Sequence, residues 1–271
     1  MLNKLYVIKI GGNIIDNEQN LAAFIKDFAA VQGLKVLIHG GGKLATKLAA
    51  QLGIEQQMVE GRRITDAATL KIVTMVYAGF INKNIVAQLQ ANGCNAIGLS
   101  GADGNAIKAH KRPPIEFSEI DYGFVGDVDE VNTDLLQSLL HQDIAVVLAP
   151  ITHDGNGLLL NTNADTIAQE TAKALSSLYD VELIYTFEKS GVLLDVNDES
   201  SVIHSLTHKY YKELKMPAYG TGEPKIFAGM IPKLDNAFAA IKSGVSKVII
   251  GKAEQLGQLI TGEAGTTITN N

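Results

Sequence analysis

The stretch Leu5–Gly12, LYVIKIGG, sets a lysine inside an apolar run and follows it with two glycines. A cation is costly in a buried strand unless its ammonium emerges at the strand end and meets negative charge. Glycines supply the other half of such a site, since a turn without Cβ atoms lets backbone N–H groups crowd onto an anion, phosphate above all. Lys9 with Gly11 and Gly12 is therefore a candidate polyphosphate grip; the alternative is a snorkelling lysine beside an ordinary turn. Further glycine clusters end other apolar runs: His39-Gly40-Gly41-Gly42-Lys43, Gly98–Gly104 and Ser190-Gly191. A second lysine, Lys233, stands early in a late helical segment. Between them, LNTNAD (Leu160–Asp165) puts Asn161, Asn163 and Asp165 at alternate positions, on one side of an extended segment that enters a helix. An asparagine N-cap with an acidic first turn would account for Asn163 and Asp165 without chemistry, but not for Asn161.

Two familiar phosphate motifs are excluded. Neither Gly42-Lys43 nor Gly251-Lys252 has a glycine five positions before its own glycine, so there is no G-x-x-x-x-G-K-[ST], and no stretch satisfies G-x-G-x-x-G. A P-loop NTPase and a standard dinucleotide-binding domain both lose their main support.

With 271 residues, 46% of them hydrophobic and 19% charged, the chain can bury a large core. A net charge of −6 without a long basic run argues against a nucleic-acid surface, so an anionic small ligand needs a local positive pocket. The single cysteine, Cys94, rules out an internal disulfide and a Cys-rich metal cluster. No His, Cys or carboxylate spacing suggests a tightly held metal, so the expectation is no resident metal site and Mg²⁺ arriving with a nucleotide. The opening residues lack a signal-peptide pattern and no apolar stretch approaches ~18–20 residues, which predicts a soluble, cytoplasmic protein with no membrane partner.

These residues must be positioned by short apolar runs, Leu5–Ile10, Val36–His39, Ala96–Leu99, Ile144–Ala149, Val181–Tyr185 and Lys247–Ile250. Helical periodicity lies between them, in Leu21–Val31, Leu44–Leu52, Ala67–Gln90, Leu135–Leu140, Ala164–Leu178 and Met230–Lys242. Continuous rather than alternating hydrophobicity says that both faces of the strands are covered, as in a parallel sheet between helix layers. Ligands in such folds sit at the carboxyl edge of the strands, so the glycine clusters are expected along one rim. Asp103–Val131 reads as extended strands or hairpins projecting from that rim, and Met216–Gly229, with two prolines and three glycines, as a mobile loop or lid.

Six motifs now stand in order: K-I-G-G (Lys9–Gly12), H-G-G-G (His39–Gly42), G-R-R-I-T (Gly61–Thr65), G-L-S-G-A-D-G (Gly98–Gly104), N-T-N-A-D (Asn161–Asp165) and G-M-I-P-K (Gly229–Lys233). Over essentially the whole chain they resemble the N-acetyl-L-glutamate kinases of the amino acid kinase family. The resemblance implies an α/β fold, a three-layer αβα sandwich around a central, mostly parallel sheet. It implies an N-terminal half, residues 1–180, that binds an N-acyl-L-glutamate and dimerises through Ala67–Gln90, and a C-terminal half, residues 181–271, that binds ATP. The activity implied is phosphorylation by MgATP of the substrate's γ-carboxylate to an acyl phosphate, the second step of arginine biosynthesis; the acyl group is left open between acetyl and something bulkier such as succinyl. By the matching motifs Lys9 and Lys233 would stabilise the transferring phosphoryl group and Asp165 would orient them. Gly12 and Gly41 would offer N–H groups to phosphate, Gly41 and Gly42 would border the substrate, Arg63 would clamp its α-carboxylate and Asn161 its amide end. A homodimer insensitive to arginine is expected, because no extra helix precedes the first strand.

Some positions depart from the family pattern. Glu188 stands where an aspartate is usual, within Thr186–Val192, and the stretch Gly265-Thr266-Thr267-Ile268 has threonine where an arginine is common. Nucleotide contacts are expected at Glu188, Ser190, Gly191, Val192, Leu193, Ile226 and Phe227. His39 is read as structural, Cys94 as a small buried residue, and Tyr210-Tyr211 as part of an amphipathic surface helix. Rival readings are a kinase of the same fold acting on aspartate, glutamate, carbamate or UMP, and a non-catalytic amino-acid or nucleotide sensor.

Overall fold

The structure is a computed structural model that describes residues 2–59, 62–114, 120–216, 226 and 230–270. In chain order the elements begin with Lys4–Ile10 (β1), Gly12–Ile15 (α1), Glu18–Ala30 (α2), Leu34–His39 (β2), Gly42–Gln51 (α3), Met58–Val59 (β3), Arg62–Arg63 (β4), Ala67–Val73 (α4), Asn82–Ala91 (α5) and Ala96–Leu99 (β5). They continue with Ile107–Lys111 (β6), Gly126–Val131 (β7), Thr133–Leu140 (α6), Ala145–Leu148 (β8), Ile151–His153 (β9), Leu159–Asn161 (β10) and Ala164–Leu175 (α7). The last third carries Asp180–Phe187 (β11), Ser205–Thr207 (β12), His208–Lys215 (α8), Ile231–Lys242 (α9), Lys247–Lys252 (β13), Leu256–Thr261 (α10) and Thr266–Thr269 (β14).

Eight strands form the main sheet in the order β12-β14-β13-β11-β1-β2-β8-β5, parallel except where β14 runs against β13. Alternate residues of each strand feed two cores, which is why the strand sequences read as continuous apolar runs. Leu5 and Val7 of β1 pack with Leu175 of α7 and Leu234 of α9 on one side, while Tyr6, Ile8 and Ile10 pack with Phe24 and Phe28 of α2 on the other. The expected three-layer arrangement is therefore what the chain adopts. From β1 the chain steps to β2 on one side and returns much later as β11 on the other, so the carboxyl end of β1 is the switch point of the sheet, where a crevice opens.

A second, four-stranded sheet, β10-β9-β6-β7, grows from the rim, with β6 and β7 antiparallel as the reading of Asp103–Val131 anticipates. Its strands β9 and β10 were hidden from periodicity by their length, three residues each. The single helix predicted over Ala67–Gln90 is instead α4, a π-helical stretch Thr74–Ile81, and α5. Both Tyr77 and Ile81 of the π stretch close on Gly41, where an added Cβ would stand 2.2 Å from Ile81 Cδ1. Wider turns of this kind recur at functional sites because they re-aim side chains that an α-helix would stack. The Tyr210-Tyr211 pair lies on α8, with Tyr211 buried against Phe238 at 5.1 Å between ring centroids. Most of the Met216–Gly229 segment lies outside the described residues, and so does Phe227. Among the described residues, no helix is long and apolar enough to cross a membrane.

Candidate active site

Lys9 continues the face of β1 that carries Leu5 and Val7, and so points toward the layer of α7 and α9. It lies between Ile38 of β2 and Tyr185 of β11 in register. Its ammonium meets Asp165 Oδ1 at 2.7 Å, with the lysine side chain 12% and the aspartate 30% exposed. Asp165 is in the first turn of α7, where Asn163 caps the helix by accepting from the N–H groups of Asp165 and Thr166 at 2.7 and 3.3 Å. Asn163 is thus a cap, as the simpler reading of LNTNAD has it, whereas Asp165 also pairs with the buried lysine. Lys233, in the first turn of α9, holds its ammonium 4.0 Å from the Phe187 ring centroid. Burial pulls its pKa down, with Asp165 opposing and Lys9 reinforcing that shift, so the three charges feel one another although they lie far apart in the chain.

A cavity of about 500 Å³ opens beside Lys233; Lys9 and Asp165 are not on its walls. Gly11, Gly12, Gly42, Lys43, Glu188, Lys189, Gly191, Leu193 and Lys233 are on its walls, so three lysines face it in a chain of net negative charge. Lys43 donates to Asn13 Oδ1, another wall residue. The turns at Gly12 and Gly42 nest together: a Cβ on Gly12 would lie 4.0 Å from the Gly42 nitrogen. Of the positions expected at a nucleotide, Glu188, Gly191 and Leu193 line the cavity. Three do not. The Ser190 hydroxyl is turned to Glu199 Oε2 at 2.7 Å, Val192 is buried with its N–H on Thr266 Oγ1 at 2.8 Å, and Ile226 is packed in the core. Glu199 binds Ser190, Lys189 and Lys252 together, and these partners hold its carboxyl down to about 2. These contacts shape the loop that carries Glu188 and Gly191.

A smaller cavity, about 210 Å³, adjoins the first at Gly42 and is lined by Gly40, Gly41, Arg63, Tyr77, Arg112 and Asn161 among others. Arg63 is buried and donates through Nη2 to the Gly42 carbonyl at 2.9 Å and to Thr46 Oγ1 at 3.0 Å, and through Nη1 to Gln56. All three acceptors are neutral, so the guanidinium keeps its full charge at the cavity wall. Asn161, ending β10, donates to Thr65 Oγ1 at 3.0 Å. Tyr77 and Arg112 were missed by sequence reading. Tyr77 sits in a run indistinguishable from core, and Arg112 in a charged stretch before two prolines. The cluster Gly98–Gly104, expected on the same rim, lines neither cavity: a Cβ on Gly101 would meet the Ile107 carbonyl at 2.6 Å, and Ser100 donates its N–H and its hydroxyl to Asp103 Oδ2 at 2.6 and 2.8 Å.

His39 is fully buried below the Gly40–Gly42 turn, and burial lowers its pKa to about 4. In the neutral ring Nδ1–H donates to the Gly40 carbonyl at 2.8 Å and Nε2 accepts from Asn82 Nδ2 at 3.3 Å. The histidine therefore holds the turn, the structural role read for it. Below its ordinary value of 6.5 the unfolded chain takes up a proton that the folded chain refuses until about pH 4. His39 should thus add stability above pH 6.5 that fades as pH falls toward 4, by up to about 3 kcal/mol. Denaturant titrations of wild type and His39→Gln across that window check this: the stability difference between them should shrink on acidification, and a constant difference would contradict it.

The chain matches the model of the Amino acid kinase family over residues 4–252. It is 57% identical over 258 residues to the acetylglutamate kinase of Phocaeicola vulgatus, covering 95% of this chain and 97% of that protein. Identity to the acetylglutamate kinase of Cytophaga hutchinsonii is 59% over 259 residues, 96% of this chain and 95% of that one. Among solved structures, N-acetylglutamate synthase from Neisseria gonorrhoeae superposes with a TM-score of 0.79 at 22% identity, over 99% of this chain and 60% of the synthase. The chain thus spans about 60% of that enzyme's length, and this likeness is one of fold.

Proposed function

Because the chain belongs to the amino acid kinase family, we propose that it transfers the γ-phosphoryl group of ATP to the γ-carboxylate of an N-acylated L-glutamate, N-acetyl-L-glutamate being the substrate its relatives are named for. That is the carboxylate-activating step of arginine biosynthesis. What supports the reading is the Lys9–Asp165 pair with Lys233 in electrostatic reach of it, Lys233 standing on the wall of the larger of two cavities that adjoin at Gly42, one large enough for a nucleotide and one sized for an amino acid.

The chemistry needs little else. A carboxylate with a pKa of ~4.3 is already ionised at neutral pH, so no general base is required. The obstacle is repulsion between an anionic nucleophile and a polyanion, and phosphoryl transfer is catalysed mainly by positioning and charge neutralisation. ATP would lie in the larger cavity, its phosphates over the N–H groups of Gly12 and Gly41 and beside Lys233, with Glu188, Gly191 and Leu193 nearer the nucleoside. Mg²⁺ would enter with ATP and screen its phosphates. Among the described residues no group of three or more His, Cys, Asp or Glu side chains could hold a metal. Lys9 and Lys233 would receive the charge spread over the migrating phosphoryl group, and Asp165 would hold them apart from unproductive partners.

The acyl amino acid would occupy the smaller cavity between Gly41, Gly42, Arg63 and Asn161, all from residues 1–180, while residues 181–271 supply the far wall of the nucleotide cavity. The reading extends to a cytoplasmic homodimer, for which the π stretch offers an apolar face in Met75 and Phe80, 55% and 64% exposed.

A hydroxylamine trap tests it. Acyl phosphate becomes a coloured hydroxamate, so N-acylglutamates should give colour with MgATP and free glutamate or aspartate should not; no colour with any of them, beside saturable ATP binding, would point to a sensor. Arg63→Ala should raise the Kd of the acyl amino acid roughly 10- to 150-fold, since a charge-assisted hydrogen bond contributes about 1.5–3 kcal/mol. Turnover should fall as well, because the variant frees the Gly42 carbonyl. Calorimetry reads the first effect, and an unchanged Kd would remove Arg63 from the site.

A further inference from the structure

The turn that ends β2 runs into a lysine that the proposed reaction has not used. Lys43 is the second residue of α3, directly after Gly42, and it is exposed on the wall of the larger cavity. There its ammonium donates to Oδ1 of Asn13, the residue after Gly12 in α1. The two glycine turns are in contact as well: a Cβ on Gly40 would lie 3.6 Å from the Gly12 nitrogen, and one on Gly12 would lie 4.0 Å from the Gly42 nitrogen. The Lys43–Asn13 contact therefore spans the same two turns on their exposed side. The other cations of this region are engaged differently. Lys9, set back from the cavity, pairs with Asp165, Lys189 pairs with Glu199 at 2.9 Å, and Lys233 lies over the Phe187 ring. Lys43 enters no ion pair among the described residues, where its ammonium is bound to a neutral amide. Asp16 is a carboxyl that feels its charge: burial raises the pKa of Asp16 and Lys43 opposes that shift.

An ammonium has more donors than one amide oxygen can use, and a neutral acceptor leaves its charge uncompensated. A phosphate oxygen entering the cavity offers the opposite charge and so outweighs Asn13 as a partner. Resting on the proposed function, position along the cavity says which phosphate this is. Gly42 belongs to the walls of both cavities, so it marks where phosphoryl donor and acceptor meet, whereas Leu193 and Val196 line the larger cavity from the loop assigned to the nucleoside. Lys43 adjoins Gly42 and lines the larger cavity only. The phosphate at that junction is the one transferred. We infer that Lys43 is a nucleotide-binding residue that grips the terminal phosphate of ATP, so that the site holds ATP in preference to ADP. ADP lacks the group that reaches Lys43, and once that group has left, the ammonium returns to Asn13 and the spent nucleotide is held less tightly.

Calorimetry with MgATP and with MgADP, in the absence of the acyl amino acid, tests this on wild type, Lys43→Met and Lys43→Arg. Lys43→Met should weaken MgATP about tenfold and MgADP less than about twofold, the size expected of a single charge-assisted contact in a site open to solvent. Lys43→Arg keeps a cation and should stay within about threefold of wild type for MgATP. Melting temperatures should agree among the three proteins, because Lys43 is exposed and its bond to Asn13 is a surface contact. In the hydroxamate assay the KM for ATP should rise about tenfold in Lys43→Met while the KM for the acyl amino acid stays as in wild type. Unchanged MgATP binding in Lys43→Met, or equal weakening of both nucleotides, would overturn the inference, the second by placing Lys43 on a part that ADP shares or in support of the turn. If wild type forms no hydroxamate from any N-acylglutamate while Lys43→Met still loses MgATP selectively, the inference stands and the kinase reading falls.

Discussion

Lys9→Ala and Lys233→Ala each lower kcat by roughly 10²–10³, with the Kd of the acyl amino acid changed little, as expected when a donor to developing charge is removed from a preorganised site. The size follows from the environment. A unit charge pair at 4 Å contributes up to ~4 kcal/mol at an effective dielectric near 20, before desolvation is subtracted. Lys9 is nearly enclosed and set against Asp165 at 2.7 Å, so its ammonium cannot be replaced by water without rearrangement. Lys233 lies over Phe187 with its pKa lowered by burial, which shows that part of its desolvation has already been met before substrate arrives. Since both act on one migrating group, the double variant should lose much less than the product of the single losses. Removal of Lys9 has a second consequence: Asp165 loses its near partner and is left to Lys233, whereas Lys9→Arg should keep an ion pair there. Steady-state rates with the hydroxamate trap and calorimetric binding separate the effects. Turnover unchanged in both single variants would end the assignment of these lysines.

Gly41→Ala should cost the protein both folding stability and activity. The backbone there has φ +144°, a conformation that side chains rarely adopt, and the added Cβ would stand 2.2 Å from Ile81 Cδ1 and 3.3 Å from Tyr77 Cδ1. Ile81 is buried on the π stretch, so it can move only by disturbing the helix that carries it. Strain and overpacking together put the destabilisation at about 2–5 kcal/mol. Whatever fraction folds should have a displaced glycine turn and at least about 10²-fold lower kcat/KM, by comparison with other misplaced oxyanion donors. Gly12→Ala is the informative contrast. Its backbone is helical and its Cβ would meet nothing closer than 3.8 Å, so melting should be nearly unchanged while ATP binding weakens. Thermal melts of the two variants side by side check this; a Gly41→Ala protein as stable as wild type would contradict the geometry.

Much of this molecule is legible in the order of its residues, for reasons that are local. Runs such as Val36–His39 and Val181–Tyr185 are apolar on both faces because each strand is covered on both faces, and that pattern survives without knowledge of the partner strands. Lys9 stands out for the same reason, as a charge where burial is otherwise continuous. Asn163 was recognisable as a cap because capping is settled within one turn of chain. Elements too short to show a period were not legible: β9, β10, β12 and β14 owe their form to neighbours in a sheet. Nor could spacing distinguish the π stretch from the helix expected over Ala67–Gln90, since its residues are apolar throughout and only their packing on Gly41 distinguishes them.

Sequence alone determined the layered α/β class, the glycine turns that end its strands, and the residues whose charge suits a phosphate, because burial and glycine turns write themselves into neighbouring positions. Tertiary structure decided which of those residues work together. Asp165 meets Lys9 only because α7 lies over β1, and Arg112 is held by Asp127 only because β6 and β7 pair in one register. It also decided that Ser190 and Val192 turn away from the cavity that Glu188 faces, as Glu199 and Thr266 claim their polar groups. Charges distant along the chain interact through distances that only folding sets, and no pattern of neighbours can encode them.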